Sequence, residues 1–253
     1  MSIKDFRVKI LSGAPIAGTF VKTPAYQVIE VLAQSDLDCV CLDAEHAPFD
    51  RASLDACLAV ARALDFPVLI RPGDASPREV LQALDYGAAG IIAPHIDTVE
   101  KARDLARSAR FGLHGRGYAG STRWADYATR GMPDLLDASA ETIVLAQIEE
   151  PAGVDAAHEI AAVDGIDGLF LGPADLSVGY GHRDQASDDL ARAFASVGEA
   201  CRAAGAHYMT FVANGAQAKE RAKDYGVTGF MIASEHGWMR AGATADAKLV
   251  HEI

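Results

Sequence analysis

The chain has 253 residues, half of them hydrophobic, and its 23 basic and 35 acidic residues give a formal net charge of −12 at pH 7. This size fits one large domain with a core that needs no disulfides, and scattered acidic residues argue against a nucleic-acid partner. No apolar run approaches the ~18 residues of a membrane span and the first residues lack a signal peptide's apolar core, so we expect a cytoplasmic protein.

Short apolar runs rich in Val, Ile and Leu alternate with longer, alanine-rich amphipathic stretches. The runs that predict strands lie near residues 16–22, 37–43, 67–71, 89–93, 143–149, 166–172, 207–213 and 228–233. Helical patterns occupy residues 51–64, 76–86, 97–109, 151–162, 187–204 and 215–225. Alternating strands and helices indicate a parallel sheet covered on both faces, and eight such units in about 250 residues favour closure. We predict one α/β domain over residues 1–253, a (β/α)8 TIM barrel.

Residues 110–141 form the longest stretch that fits no simple strand–helix unit. They begin FGLHGRGYAGSTRW, and such long irregular segments are usually functional or mobile. Residues 115–120 match the dinucleotide fingerprint G-x-G-x-x-G, but that motif needs a strand before it and a helix after it. Here it follows a helix, so we expect a flexible lid over the barrel mouth.

The four cysteines form no C-x-x-C pair, and two of them alternate along a predicted strand. They are Cys39, Cys41, Cys57 and Cys201. We interpret them as small core residues, and the sequence has no thiol or histidine cluster with zinc spacing.

Polar residues follow several predicted strands, at the barrel end where active sites of this fold lie. They are Asp43 and His46 after strand 2, Arg71 after strand 3, His95 near the end of strand 4, Gln147 and Glu149 on strand 5, and Asp175 after strand 6. Any one of them alone is more often a helix cap or a solvated loop residue. Their collection at one rim predicts an active site, although strand periodicity alone does not show which face of strand 5 is interior.

Two of these carboxylates, Glu149 and Asp175, would lie on neighbouring strand ends. Unpaired, they would repel each other and force one to hold a proton. A hard divalent cation resolves the conflict, because Mg²⁺ typically takes one or two carboxylates and fills its other positions with water or substrate oxygens. That open coordination suits a bidentate 2-oxo acid.

Four motifs in this order and spacing resemble one known family. They are LDAEHAPFD (42–50), RPG (71–73), QIEEPAGV (147–154) and DGLFLGPADLS (167–177). The chain, from about Gly18 to Gly237, is similar to the metal-dependent (class II) pyruvate aldolases of the HpcH/HpaI type, such as 4-hydroxy-2-oxoheptanedioate aldolase and 2-dehydro-3-deoxyglucarate aldolase. The resemblance implies a phosphoenolpyruvate/pyruvate-type barrel that reversibly cleaves 4-hydroxy-2-oxo acids to an aldehyde and pyruvate or hydroxypyruvate through a metal-stabilised enolate.

The resemblance also implies roles for individual residues. Glu149 and Asp175 look like ligands of Mg²⁺, Mn²⁺ or Co²⁺, and Arg71 looks like the residue that binds the oxo group of pyruvate. His46 looks like the catalytic base or its relay, supported by Asp43 and Asp85. Contacts with the substrate or with metal-bound water are implied for Gln147, Pro173, Ala174 and Asp175. The family further suggests a homo-oligomer, a trimer-based hexamer.

The sequence departs from the family pattern at two places. Gly112–Leu113–His114–Gly115 stands where the family commonly has Gly-Ile/Leu-Arg-Gly, although Arg116 follows closely. The segment IASEHGWMRAG (232–242) replaces the usual ending of small residues. Both departures are expected to bear on substrate choice, and neither removes a proposed metal ligand.

Three alternatives remain open at the level of sequence. Schiff-base chemistry needs a lysine inside the barrel, and only Lys22, at the end of strand 1, lies near the right rim. A CoA-ester lyase of a related barrel family would use similar carboxylates, although those chains tend to be longer. A non-catalytic barrel that binds an oxo acid is the third, because this fold carries many functions.

Overall fold

The computed structural model of the chain describes residues 3–253, in which strands and helices alternate after a first helix. The strands are β1 (Ile16–Val21), β2 (Cys39–Asp43), β3 (Val68–Arg71), β4 (Gly90–Ala93), β5 (Ile143–Ile148), β6 (Gly168–Leu171), β7 (His207–Val212) and β8 (Gly229–Ser234). The helices are α1 (Ile3–Leu11), α2 (Tyr26–Leu32), α3 (Arg51–Ala63), α4 (Pro77–Asp85), α5 (Val99–Ala109), α6 (Met132–Ala138), α7 (Pro151–Asp155), α8 (Ala157–Ala161), α9 (Pro173–Gly179), α10 (Asp188–Ala204), α11 (Gly215–Tyr225) and α12 (Glu235–His251).

All eight strands are parallel and pair in chain order, and β8 pairs with β1 to close the barrel. The predicted (β/α)8 barrel is therefore confirmed. The register places Asp43 directly beside Arg71 on the neighbouring strand, so their side chains emerge together at the carboxyl ends of β2 and β3.

Strand residues alternate between the barrel interior and the helical layer, as the pleat requires. On β2, Cys39 and Cys41 belong to the inner core, whereas Val40 and Leu42 pack against the helices. On β5 the inner core takes Leu145, and the side chains two and four residues further on emerge on the same face. The interior face of strand 5 is thus the one that leads to the carboxylate predicted to bind metal. All four cysteines are free and buried, as predicted.

Glycines allow the strands to approach closely at the amino-terminal end of the barrel. A Cβ atom on Gly168 would lie 2.4 Å from the carbonyl oxygen of His207, and one on Gly90 would lie 2.4 Å from that of Ile143. Side chains at these positions would push adjacent strands apart, so glycine here is a condition of barrel closure.

Helix α1 covers the amino-terminal end of the barrel. Phe6 and Ile10 are almost fully buried and belong to the inner core cluster. Arg7 donates to the carbonyl oxygen of Thr142 at 3.2 Å and forms an ion pair with Asp167, and Lys9 pairs with Asp38 at 2.6 Å. The interior is therefore closed below by an apolar plug held by ionic contacts.

Most of the segment after α5 lies toward this same amino-terminal end, although His114 reaches a recess beside His95 at the other end. It connects a helix to the start of β5, and its Arg116 pairs with Asp85 at the end of α4, while Arg123 pairs with Asp55 on α3. The Arg116 guanidinium packs against the rings of both Phe111 and Trp124, so the segment is fixed to its own barrel. The prediction of a lid over the mouth is wrong for the single chain, because a helix-to-strand connection returns to the end where strands begin.

Helix α12 lies largely exposed on the outside of the barrel. Glu235 is its only buried residue, and its carboxylate accepts hydrogen bonds from the backbone N–H groups of Lys22 and Thr23 at 2.8 and 2.7 Å. The start of α12 is thereby fastened to the end of β1. Across the described residues, none of the helices combines the length and apolarity that crossing a bilayer requires.

Candidate active site

A cavity of about 610 Å³ opens at the carboxyl ends of the strands. Its lining comes from residues on or directly after β1, β3, β5, β6, β7 and β8, from the loop after β2, and from the starts of α9 and α12: Phe20, Lys22, His46, Arg71, Gln147, Phe170, Gly172, Pro173, Ala174, Asp175, Phe211, Ala213, Ala233, Ser234, Gly237, Trp238, Arg240 and Ala241. The fold therefore brings His46, Arg71, Gln147, Pro173, Ala174 and Asp175, all predicted from the sequence, to one opening.

Asp43 and Arg71 form a buried ion pair beneath this cavity. The Nη2 and Nε atoms of Arg71 lie 2.8 and 3.0 Å from Asp43 Oδ1, and the guanidinium packs 4.5 Å from the ring centre of Phe20. Burial opposes the charge on Asp43, but the charge and hydrogen bonds of Arg71 hold the pKa of this carboxyl below its usual value. Asp43 is thus a fixed anion that orients the guanidinium.

His46 lies at the cavity wall with about half of its side chain exposed. Its backbone N–H donates to Asp43 Oδ1 at 3.2 Å, and its Nε2 atom lies 3.6 Å from Glu45 Oε2. Glu45 also lies 3.2 Å from Arg71 Nε. The carboxylate beside the imidazole is therefore that of Glu45, whereas Asp43 fixes the loop that carries it.

Glu149 is the most buried carboxylate of the site after Asp43, with 2% of the residue exposed. Its Oε2 atom accepts from the Gln147 amide, and its Oε1 atom accepts from the His95 backbone N–H at 2.8 Å. Burial outweighs these bonds and raises the pKa of Glu149 above its usual value. The Oε1 atom of Gln147 is buried without a hydrogen-bond partner among the described residues. Among the described residues, the ion-pair partner of Glu149 is a histidine, His95, and not a lysine or an arginine.

His95 links three carboxylates after β4. Its Nε2 atom lies 3.3 Å from Glu45 Oε1, and its Nδ1 atom lies 3.2 Å from Glu149 Oε1 and 2.8 Å from Glu150 Oε1. Burial opposes its charge, but the Glu150 hydrogen bond and the neighbouring carboxylates raise its pKa above the usual value. The backbone at His95 has φ of +57°, a conformation that a residue with a side chain adopts at a cost.

Ligand atoms of Glu45, His95 and Glu149 all lie within 4.8 Å of one another, which is compatible with one metal ion. The sequence predicts Glu149 for this role, together with Asp175. Asp175 stands in the first turn of α9, is exposed, and lines the cavity with Pro173 and Ala174. Its part in metal binding stays a prediction.

Asp85 lies apart from the other predicted residues within the chain. It ends α4, at the amino-terminal end of the barrel, and its carboxylate lies 2.5 Å from the Nη2 atom of the buried Arg116. A supporting role for Asp85 at a catalytic rim therefore requires a second copy of the chain and stays a prediction.

The sequence assigns no role to Glu45, and it places His95 at the rim without a specific function. Glu45 stands in the motif DAEH and His95 in the motif PHI. A carboxylate next to a histidine is common by chance, and so is a histidine that follows a strand. The unusual 232–242 segment did carry a signal, because its residues Trp238 and Arg240 line the cavity.

Comparisons with known proteins find aldolases that are similar to this chain. A family model described as HpcH/HpaI aldolase/citrate lyase matches residues 17–240. A hydroxypyruvate/pyruvate aldolase from Roseovarius nubinhibens is 37% identical over 209 residues, covering 79% of this chain and 80% of that protein. A 2-keto-3-deoxy-L-rhamnonate aldolase from Klebsiella pneumoniae is 33% identical, covering 79% and 76%. The crystal structure of a family protein from Burkholderia cenocepacia superposes with a TM-score of 0.92 at 29% identity, covering 98% and 99%.

Proposed function

The chain belongs to the HpcH/HpaI aldolase/citrate lyase family, and we propose that it is a pyruvate aldolase that cleaves 4-hydroxy-2-oxo acids to an aldehyde and pyruvate or hydroxypyruvate. One observation carries the proposal: the buried Arg71 guanidinium, oriented by Asp43, lines the same cavity as His46 and lies beside the carboxylate-rich corner that contains Glu149. A cation, a guanidinium and a titratable base at one opening are what the formation of an enolate next to a carboxylate requires.

The residues at this corner fit a divalent cation. Burial raises the pKa of Glu149, and an unpartnered amide oxygen of Gln147 lies next to it, so a positive ion would satisfy both. We propose Glu149 and Asp175 as the protein ligands of Mg²⁺, Mn²⁺ or Co²⁺, with water or substrate oxygens completing the shell. When bound, such an ion supplies a Lewis acid beside the substrate's oxo group.

The chain's own residues account for the remaining chemistry. Arg71 donates hydrogen bonds to the C2 oxygen and offsets the negative charge that develops there as the C3–C4 bond breaks. His46, next to the Glu45 carboxylate, accepts the proton of the 4-hydroxyl group directly or through a water molecule. In the reverse direction, C3 of the enolate attacks the aldehyde carbon and His46 returns the proton to the new hydroxyl oxygen.

Exchange of the C3 protons of pyruvate in D₂O tests this function, because it reports enolate formation without an aldehyde. We expect metal-dependent exchange in the wild type and its loss in Glu149→Gln, with the control Glu199→Gln, an exposed position on α10, unchanged. Exchange that persists after rigorous metal removal would contradict the proposal.

Calorimetric titration with Mn²⁺ separates the two possible ligand sets. We expect Asp175→Asn to weaken Mn²⁺ binding by about 10- to 100-fold and His95→Gln to change it less, since ligand loss affects affinity most directly. The reverse result would place the ion in the Glu45–His95–Glu149 group.

The three alternatives have separate tests. Lys22, the Schiff-base candidate, forms an ion pair with Asp43 at 3.2 Å, and an ammonium held in an ion pair is not a nucleophile. Borohydride with pyruvate should therefore leave the chain unmodified. A CoA-ester lyase would bind acyl-CoA, and a binding-only barrel would bind pyruvate without any C3 exchange.

We further propose that the protein acts in the cytoplasm as a homo-oligomer, built as a trimer-based hexamer. Support comes from α12, a helix of 17 residues with one buried residue and with exposed Met239, Leu249 and Val250. Exposed apolar residues along one helix indicate a surface that another copy covers.

A further inference from the structure

The charged residues that line the cavity differ in how deeply they are buried and in whether they have an ion-pair partner. Its charged lining residues other than His46 are Lys22, Arg71, Asp175 and Arg240, in a chain whose net charge is −12. The cavity mouth, with three cations and one carboxylate, is therefore positively charged, whereas the molecule as a whole is negatively charged.

Two of these cations are already neutralised. Arg71 pairs with Asp43 and with Glu45, and Lys22 pairs with the second oxygen of Asp43. Asp175, for its part, is proposed to face the metal ion. The charges at the floor of the cavity are thus largely balanced before any substrate binds.

Arg240 is the exception. Within residues 3–253 the structure gives it no ion pair and no hydrogen bond, and it stands on α12 in line with Gly237, Trp238 and Ala241, on the helix face that borders the cavity. The fastening of Glu235 to the backbone of β1 fixes the start of this helix, so Arg240 is presented at the rim by a rigid element.

We propose that Arg240 determines specificity by binding a carboxylate at the far end of the aldehyde, with Trp238 forming the wall beside it. This inference rests on the proposed function. Arg71 is 7% exposed and lies at the floor, where the oxo acid would bind, whereas Arg240 is exposed at the rim, which an aldehyde reaches first. With the oxo acid at Arg71, an aldehyde with a distal anion would direct that anion toward Arg240, and arginine binds carboxylates through two parallel hydrogen bonds.

The test compares glutaric semialdehyde with its methyl ester, which differ in the distal charge, in aldol addition to pyruvate. Arg240→Met should lower kcat/KM for the acid by about 10-fold or more, the loss expected for a charge-assisted hydrogen bond, and leave the ester and the KM for pyruvate unchanged. Arg240→Lys should retain most of the preference. Lys223→Met, an exposed position in the last turn of α11, is the control for loss of one positive charge.

Several results would overturn the assignment: equal losses for acid and ester, a raised KM for pyruvate in Arg240→Met, no effect of that variant, or a wild type that prefers the ester. Light scattering on each variant checks that the assembly is unchanged. Absence of C3 exchange in the wild type would instead contradict the proposed function, so the two failures are distinguishable.

Discussion

The ion pair of Asp43 and Arg71 shows how a single side chain acquires a role from its surroundings. The pairing register of β2 and β3 places the two residues side by side, and the 4.5 Å contact with Phe20 fixes the plane of the guanidinium. Such preorganisation matters because donors that need not move at the moment of reaction stabilise developing charge most effectively.

Arg71→Lys tests whether the guanidinium fork, and not only its charge, is required. The lysine keeps a positive partner for Asp43, so the fold should survive, but its single nitrogen cannot present the planar fork of parallel donors that a guanidinium offers. We expect kcat for cleavage to fall by about 100-fold, with Mn²⁺ affinity little changed. Steady-state kinetics and calorimetry measure the two quantities.

The same substitution at an exposed site provides the control. Arg103→Lys on α5, a position outside the cavity, should leave kcat at the wild-type value. Wild-type kcat in Arg71→Lys would mean that charge alone suffices there.

At the scale of single residues, the sequence predicted the site residues on strands better than those on loops. Arg71, Glu149 and Gln147 follow from position on a strand, because the end of a barrel strand has a known location. Glu45 and His95 reach the site through loop conformations, and the positive φ of His95 leaves no mark in residue spacing. Asp85 was expected at the rim from resemblance, yet the end of α4 lies at the other end of the chain's own barrel.

At the scale of elements, the strands were predicted closely because each is an apolar run that both faces of the sheet bury. Five helices lie outside the predicted helical stretches, namely α1, α2, α6, α9 and α12. Helix α12 has a weak apolar pattern and few neighbours in the chain. Helix α2 has only 7 residues, which is too short for a clear helical period. The placement of residues 110–141 failed because irregular sequence carries no information about which end of the barrel it joins.

Gly168→Ala tests the close approach of β6 and β7. The added methyl group would lie 2.4 Å from the carbonyl oxygen of His207, so the strands must separate or the backbone must shift. We expect the free energy of unfolding to fall by about 2 kcal/mol or more, as overpacking of a well-packed core does. Urea denaturation followed by circular dichroism measures it.

Gly117→Ala is the matched control, because a Cβ atom there meets nothing within 4 Å. Its stability should equal that of the wild type. Equal losses in the two variants would show that glycine flexibility, and not contact between strands, explains the effect.

At the scale of the molecule, the main open surface is that of α12. A helix whose main contacts are with β1 and β8 at its beginning gains little from its own chain, and its apolar residues near the end remain exposed. Assembly would bury this surface and would also decide whether Asp85 and the 110–141 segment meet the mouth of another copy.

Replacing Leu249 and Val250 by Glu tests the assembly. Both residues are more than 60% exposed in the single chain, so the fold should tolerate the charges, whereas an interface would not. We expect the mass measured by light scattering to fall below that of the wild type. His251→Glu, an exposed position on the same helix, should leave it unchanged, and a wild type that is already monomeric would contradict the prediction.

Helix α1 closes one end of the barrel, and this closure affects the order in which the products leave. Within the described residues, Phe6 and Ile10 fill the far end of the barrel, so we expect molecules to enter and leave by the opening at the carboxyl ends of the strands. A three-carbon acid seated against Arg71 then lies behind whatever occupies the rim. We therefore expect product release to be ordered. The aldehyde should dissociate first after cleavage, and pyruvate or hydroxypyruvate should dissociate last.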